Sequence, residues 1–198
     1  MQKKTPEEIK KMSDEEYKAY IKRQLKEIAD AYEVDGFWFD IIFQQKCICK
    51  TCTAEMRALM RDPANEKDVL WHDDYVLFKF QKEINEYVES LGKHIPTFYN
   101  SSWLPNTGTD GLMIEHRSVL QDHMEIESLP SGEWGYNHFP LFVNYHNRND
   151  GDVIGMNGKF HLSWGDHGSL KNEEALEYEC FRMLANGCGC SVGDQLHP

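Results

Sequence analysis

Long hydrophobic stretches are missing from this sequence. No apolar run approaches the roughly 20 residues that a helix needs to cross a bilayer. The N-terminal stretch MQKKTPEEIKK also lacks the apolar centre of a secretory signal peptide. The sequence therefore predicts no membrane partner and a cytoplasmic location.

Positive charge and metalloenzyme motifs are scarce as well. The 21 lysines and arginines are outnumbered by 33 aspartates and glutamates, which gives a formal net charge of −12. Because such a surface repels phosphate backbones, no nucleic-acid partner is expected. The chain contains neither an H-x-H nor an HExxH ligand set, so a catalytic zinc is not expected either.

The sequence does contain enough apolar material for one folded domain over residues 1–198. Apolar runs of strand length alternate with segments of helical period, which predicts parallel βα units. Helix starts are predicted at the capping boxes Thr5–Glu8 and Ser13–Glu16, further helices at 65–91, 133–147 and 172–186, and strands at 34–43, 95–101, 123–128, 153–160 and 189–195. The first of these strands is so continuously apolar that we expect it to be buried on both faces.

Polar side chains occur at the end of each predicted strand. The carboxyl ends of parallel strands meet at one edge of a sheet, which is where βα barrels carry their chemistry. The residues at these ends are Asp40, Asn100, Glu127, Lys159, His161, Asp194, Gln195 and His197. One shared cleft lined by these groups is the simplest interpretation.

Two carboxylates from different strands are the minimum needed to hydrolyse a glycosidic bond. One attacks the anomeric carbon or activates water, and the other protonates the leaving oxygen. Tryptophans near the predicted loops can stack on sugar rings, namely Trp38, Trp103, Trp134 and Trp164. We therefore expect a carbohydrate substrate.

Several blocks of the sequence resemble a known group of barrel proteins. The blocks are DGFWFDI, KCICKTC, HMEIESLPSGEWGYNHFP, GMNGKFHLSWGDHGSLK and CSVGDQLHP. They are similar to the hypothetical glycosyl hydrolase 6 group and, more distantly, to the α-L-fucosidases of glycoside hydrolase family 29. The similarity runs from about residue 32 to residue 198. The resemblance implies an α/β fold of the (β/α)8 TIM-barrel type, present as an incomplete barrel of about five parallel βα units, strands four to eight.

The same resemblance implies a retaining mechanism in which the aspartate that ends strand four is the nucleophile. The aromatic-aromatic-Asp ending of that strand matches Trp38-Phe39-Asp40, so Asp40 is the expected nucleophile. We assign the general acid/base to Glu127, at the end of strand six, while Glu125 and Glu133 stay open as rivals. The mechanism requires no cofactor.

Three cysteines are crowded into the segment after the first strand. Cys47, Cys49 and Cys52 form a C-x-C-x-x-C pattern, which can give three thiolates to one tetrahedral zinc. We expect this segment to be a loop, and His72 is a fourth-ligand candidate by its proximity in sequence alone. A structural zinc and free or oxidised thiols are both compatible with the pattern.

Two further functions fit the residues. One is a non-catalytic carbohydrate-binding module, or a truncated barrel fragment, whose carboxylates are too far apart to cooperate. The other is a metal-dependent hydrolase using His161, Asp194 and His197. Strands one to three of the implied barrel have no counterpart here, which leaves three interpretations open. The plainest is a truncated fragment, and the others are a partner that completes the barrel and a rearranged homo-oligomer.

Overall fold

The computed structural model describes residues 4–43, 46–92, 94–100, 120–146, 152–164, 166 and 168–194. They form two compact units. The first holds the described residues up to Tyr99 together with Leu120, and the second holds Asn100 and the described residues from Gln121 onward. No helix in the described ranges is long and apolar enough to cross a membrane. The predicted single domain over residues 1–198 stays a prediction.

The helices of the first unit begin where the sequence places their caps. α1 (Pro6–Ile9) follows Thr5 and α2 (Asp14–Ala31) follows Ser13. In both cases the N-cap hydroxyl accepts a hydrogen bond from the third helical N–H, and the glutamate at that position accepts one from the N-cap N–H. Two more helices follow, α3 (Lys50–Ala58) and α4 (Glu66–Glu89).

Two short parallel strands complete the first unit. β1 (Phe37–Phe39) pairs with β2 (Thr97–Tyr99), with Phe37 opposite Thr97 and Phe39 opposite Tyr99. The core against which Phe37 and Phe39 pack consists of Leu25, Ala29, Ile84, Val88, Ile95 and Tyr99. Alternation along the strand turns Trp38 the other way. It stays 43% exposed, so the expectation of a first strand buried on both faces is wrong.

The second unit contains a three-stranded parallel sheet. Its strands are β3 (Met124–Glu127), β4 (Val153–Gly158) and β5 (Gly189–Gly193), in the order β3-β4-β5. The register sets Glu127 opposite Met156 and Met156 opposite Ser191. The helices α5 (His138–His146) and α6 (Glu173–Ala185) pack against these strands. Because the three strands are parallel, their carboxyl ends lie at one edge of the sheet.

The mixed α/β class with parallel strands is confirmed, and all five predicted strands occur, each shorter than the apolar run that predicted it. The helix predicted from residue 133 begins later. Pro130–Trp134 instead forms a π-helical turn interrupted at Gly132. Gly135, with φ 73°, follows in a conformation that only glycine adopts readily, and α5 starts three residues beyond it.

Candidate functional site

The carboxyl edge of the sheet in the second unit carries three charged side chains. Glu127 is the last residue of β3, Lys159 directly follows β4, and Asp194 directly follows β5. The Lys159 ammonium forms an ion pair with the Asp194 carboxylate. The backbone N–H of Lys159 also donates to the Gly193 carbonyl at 3.1 Å, which extends the pairing of β4 with β5 to this point. The structure thus brings together Lys159 and Asp194, two of the candidate site residues.

Glu127 is held by two hydrogen-bond donors. The indole N–H of Trp164 donates to Oε1 at 2.5 Å, and the side-chain amide of Asn100 donates to Oε2 at 3.3 Å. With one donor on each carboxylate oxygen, the plane of the carboxylate is fixed. Three of the predicted site residues therefore form one arrangement.

Gly193 makes room for the ring of Trp164. A Cβ at Gly193 would overlap the indole ring, and a Cβ at Gly158 would lie 3.5 Å from it. On another side the ring meets Phe160 edge-on, with ring centroids 5.9 Å apart. The indole is therefore packed in the orientation in which its N–H reaches Glu127.

His138 joins this region, although the sequence analysis did not select it. It is the first residue of α5, its Nδ1 lies 3.1 Å from the Ser128 hydroxyl, and its ring stacks on Phe142 at 4.2 Å. Burial lowers the pKa of His138, while the charge of Glu127 acts in the opposite direction. Its place in the block GEWGYNHFP, four residues after Trp134, is the sequence signal that could have found it.

The remaining predicted residues of this unit are more dispersed. Trp134 is 44% exposed, with its ring 4.8 Å from that of His138, and His161 is exposed beyond β4. The rival acid Glu125 lies 2.9 Å from the His123 ring, whereas Glu133 is exposed in the π-helical turn. Trp103, Gln195 and His197 lie outside the described residues.

Asp40 belongs to the first unit. It directly follows β1 and is exposed. The next residue, Ile41, has φ 55°, a left-handed conformation that β-branched residues rarely adopt. Backbone of this kind costs about 1–3 kcal/mol and persists where surrounding structure imposes it. The chain therefore turns sharply immediately after the aspartate.

The cysteine segment also lies in the first unit. The sulfur atoms of Cys47, Cys49 and Cys52 all lie within 4.8 Å of one another. The expected loop is only partly right, because Cys49 is the N-cap of α3 and Cys52 lies in its first turn. His72 does not join the group among the described residues; its Nε2 lies 3.0 Å from the Glu55 carboxylate.

The pKa values of Cys49 and Cys52 are shifted in opposite directions. The backbone N–H of Cys52 is the main influence that lowers the pKa of Cys49 to about 7, assisted by the thiols of Cys47 and Cys52. Burial, followed by the neighbouring thiols, raises the pKa of Cys52 to about 12. A helix N-terminus favours the thiolate next to it, and a first negative charge disfavours a second.

Comparison with solved structures identifies a relative. The chain is similar to an α-L-fucosidase. It superimposes on alpha-L-fucosidase isoenzyme 2 from Paenibacillus thiaminolyticus with a TM-score of 0.77 and 37% sequence identity, over 92% of this chain. The chain spans 27% of the length of that protein. The predicted resemblance to α-L-fucosidases is thereby confirmed.

Two other comparisons found nothing. No protein-family model matches the chain, and no curated protein matches it.

Proposed function

We propose that this chain is a glycoside-hydrolase domain that acts on O-glycosidic bonds, with an α-L-fucoside as the substrate. The observation that carries the proposal is the similarity to an α-L-fucosidase at 37% identity over 92% of the chain. The oriented carboxylate of Glu127, held by Trp164 and Asn100, supports it, because a fixed carboxylate at the end of a strand suits proton transfer.

The proposal includes an incomplete (β/α)8 barrel made of strands four to eight. The five described strands run parallel within their two sheets, which is the pairing a barrel requires. In a barrel the carboxyl ends of all strands face the same side. The proposed mechanism requires Asp40 after β1 and Glu127 at the end of β3 to line one cleft.

In the proposed reaction Asp40 attacks the anomeric carbon while Glu127 donates its proton to the departing glycosidic oxygen. A glycosyl ester on Asp40 results. Glu127, now a carboxylate, takes a proton from water as that water attacks the anomeric carbon and releases Asp40. Retention of configuration requires the two carboxyl groups to be about 5–5.5 Å apart, and inversion about 6.5–9.5 Å.

Other residues would bind and orient the sugar. The exposed faces of Trp38 and Trp134 offer apolar surface to the C–H face of a pyranose. The ion pair of Lys159 with Asp194 offers charged partners for sugar hydroxyls. The proposed chemistry uses no cofactor.

The test is hydrolysis of a panel of aryl glycosides, beginning with the α-L-fucoside, by the chain and by Asp40→Asn. Turnover by the parent chain and none by a folded Asp40→Asn is the expected result, because the nucleophile is lost. Asp35→Asn is the matched control, since Asp35 is an exposed aspartate near the other end of β1. Equal rates for Asp40→Asn and Asp35→Asn would contradict the assignment.

A second set of variants tests the acid/base. Glu127→Gln should slow hydrolysis by about 10²–10⁴-fold, and less with an activated aryl leaving group that departs without protonation. Glu125→Gln and Glu133→Gln distinguish the rivals. A loss confined to either of these, with Glu127→Gln unaffected, would move the assignment to that residue.

A carbohydrate-binding function without catalysis is the second candidate. It is favoured by the exposure of Trp38 and Trp134, at 43% and 44%. It predicts that a folded chain binds a fucosylated oligosaccharide without hydrolysing it. Calorimetric titration of the chain and of Trp134→Ala would then show weaker binding for the variant.

A further inference from the structure

The three thiols of the first unit are grouped in a way that suits one metal ion. Their sulfur atoms lie within 4.8 Å of one another. Tetrahedral zinc with Zn–S bonds of about 2.3 Å would hold its sulfur ligands about 3.8 Å apart. Rotation of the side chains over about 1 Å would therefore close the group around an ion. We propose that Cys47, Cys49 and Cys52 bind one zinc ion as three thiolates.

Local structure fixes the positions of these ligands. Cys49 is the N-cap of α3 and Cys52 lies in its first turn, so the start of one helix orders two of the three. The backbone N–H of Cys47 donates to the Asp73 carboxylate on α4 at 3.2 Å. The Thr53 hydroxyl donates to the Ile48 carbonyl at 3.1 Å and ties the intervening residue to the same helix. The ligand backbone is thus held from both α3 and α4.

The site would keep an accessible fourth position. Within the described ranges, no other histidine, cysteine, aspartate or glutamate joins the group of three. Cys49 is exposed, and Cys47 and Cys52 line a cavity of about 500 Å³. A water molecule or an anion from solution can therefore complete the tetrahedron. Thiolate ligands favour zinc over the hard cations magnesium and calcium.

The expected role of the ion is to join the chain that follows Asp40 to the start of α3, because Cys47 precedes that helix whereas Cys49 and Cys52 lie at its N-terminus. The C-x-C-x-x-C segment begins seven residues after that aspartate. A metal ion that binds the folded chain and not the unfolded chain raises the free energy of unfolding by RT ln(1 + [Zn]/Kd). This inference does not depend on the proposed glycosidase activity.

The first measurement is the zinc content of the full chain after dialysis against metal-free buffer. We expect one zinc per chain, and none in Cys49→Ser or Cys52→Ser. Cys180→Ser and Cys190→Ser are the matched controls, because these cysteines lie in the second unit, and both should retain the ion. Cobalt substitution of the parent chain should give a thiolate-to-cobalt charge-transfer band that the Cys49→Ser variant lacks.

A second measurement keeps the inference testable if a variant fails to fold. In the parent chain, bound zinc should slow the reaction of three thiols with a thiol reagent and raise the melting temperature. Unchanged thiol reactivity, or equal zinc content in parent and Cys49→Ser, would overturn the proposal. So would an intact mass two hydrogens below that of the reduced chain, with a disulfide linking two of the three cysteines.

Discussion

Replacing Gly193 by alanine tests how Glu127 is oriented. A methyl group at Gly193 would overlap the ring of Trp164, whose N–H donates to Glu127. A fused ring cannot bend away, and Phe160 meets it on another side. Ring displacement would therefore break the hydrogen bond. Gly189, at the other end of β5, is the matched control, because the nearest atom to its added methyl is Ile154 Cγ1 at 3.4 Å.

The size of the effect follows from three contributions. Overpacking a rigid contact costs about 1–3 kcal/mol, and losing a hydrogen bond to a charged group costs about 1.5–3 kcal/mol. The two overlap, because one movement of Trp164 causes both. Alanine also restricts the unfolded chain, which returns about 0.5–1 kcal/mol. We therefore expect Gly193→Ala to lower the free energy of unfolding by about 2–3 kcal/mol. Gly189→Ala should raise it by about 0.5–1 kcal/mol, because only the effect on the unfolded chain remains.

Urea unfolding followed by circular dichroism measures the free energies of both variants. The indole N–H resonance of Trp164, assigned with Trp164→Phe, reports the hydrogen bond directly. In Gly193→Ala this resonance should move toward the position of a solvent-exposed indole, while in Gly189→Ala it should stay. Equal stability of the two variants with an unmoved resonance would refute the packing argument.

Two further predictions concern the second unit. Lys171→Met should destabilise the chain by about 3–5 kcal/mol, because Glu179, whose side chain is 2% exposed and paired with Lys171 at 2.5 Å, would be left buried without its cation. The double variant Lys171→Met/Glu179→Leu should recover most of this loss in urea unfolding, and additive losses would contradict the pairing. Burial lowers the pKa of His138 in the folded chain, so the unfolded chain binds the proton more readily. The free energy of unfolding should therefore fall as the pH drops below the unfolded pKa of about 6.5 toward the lower folded pKa. His138→Gln should flatten the slope of unfolding free energy between about pH 7.5 and 5, and identical slopes for variant and parent would contradict this.

Helices and strands whose formation depends on residues close in sequence were predicted well. The capping boxes at Thr5 and Ser13 occur as predicted, and the helix predicted at 65–91 is α4, Glu66–Glu89. The five apolar runs are strands. In each case the prediction depends on residues that are close in sequence. For the caps it is a side chain that hydrogen-bonds within its own turn, and for the other elements it is a hydrophobic pattern that repeats within about ten residues.

Helix α3 was missed because its stability comes from other elements. Its sequence KTCTAEMRA includes Cys52 and so overlaps the C-x-C-x-x-C pattern, which suggested a loop. In the structure Met56 is fully buried, and the Glu55 carboxylate is paired with Lys79 and His72 on α4. These contacts join residues that are 17 to 24 positions apart in the sequence, so no pattern within the helix predicts them. Tertiary packing of this kind routinely decides whether a short helix forms.

The choice among the rival acids shows why sequence alone left the candidate site open. Glu125 and Glu127 are two residues apart and share one face of β3, so alternation cannot separate them. They differ in their partners: His123 lies beside Glu125, whereas Trp164, 37 residues further along the chain, donates to Glu127. That contact exists because β5 presents a glycine at residue 193 where any larger residue would displace the ring. Asn100, Trp164 and Gly193, which together orient Glu127, are distant in sequence and are brought together by the strand register. The orientation of Glu127 therefore cannot be predicted from the sequence alone.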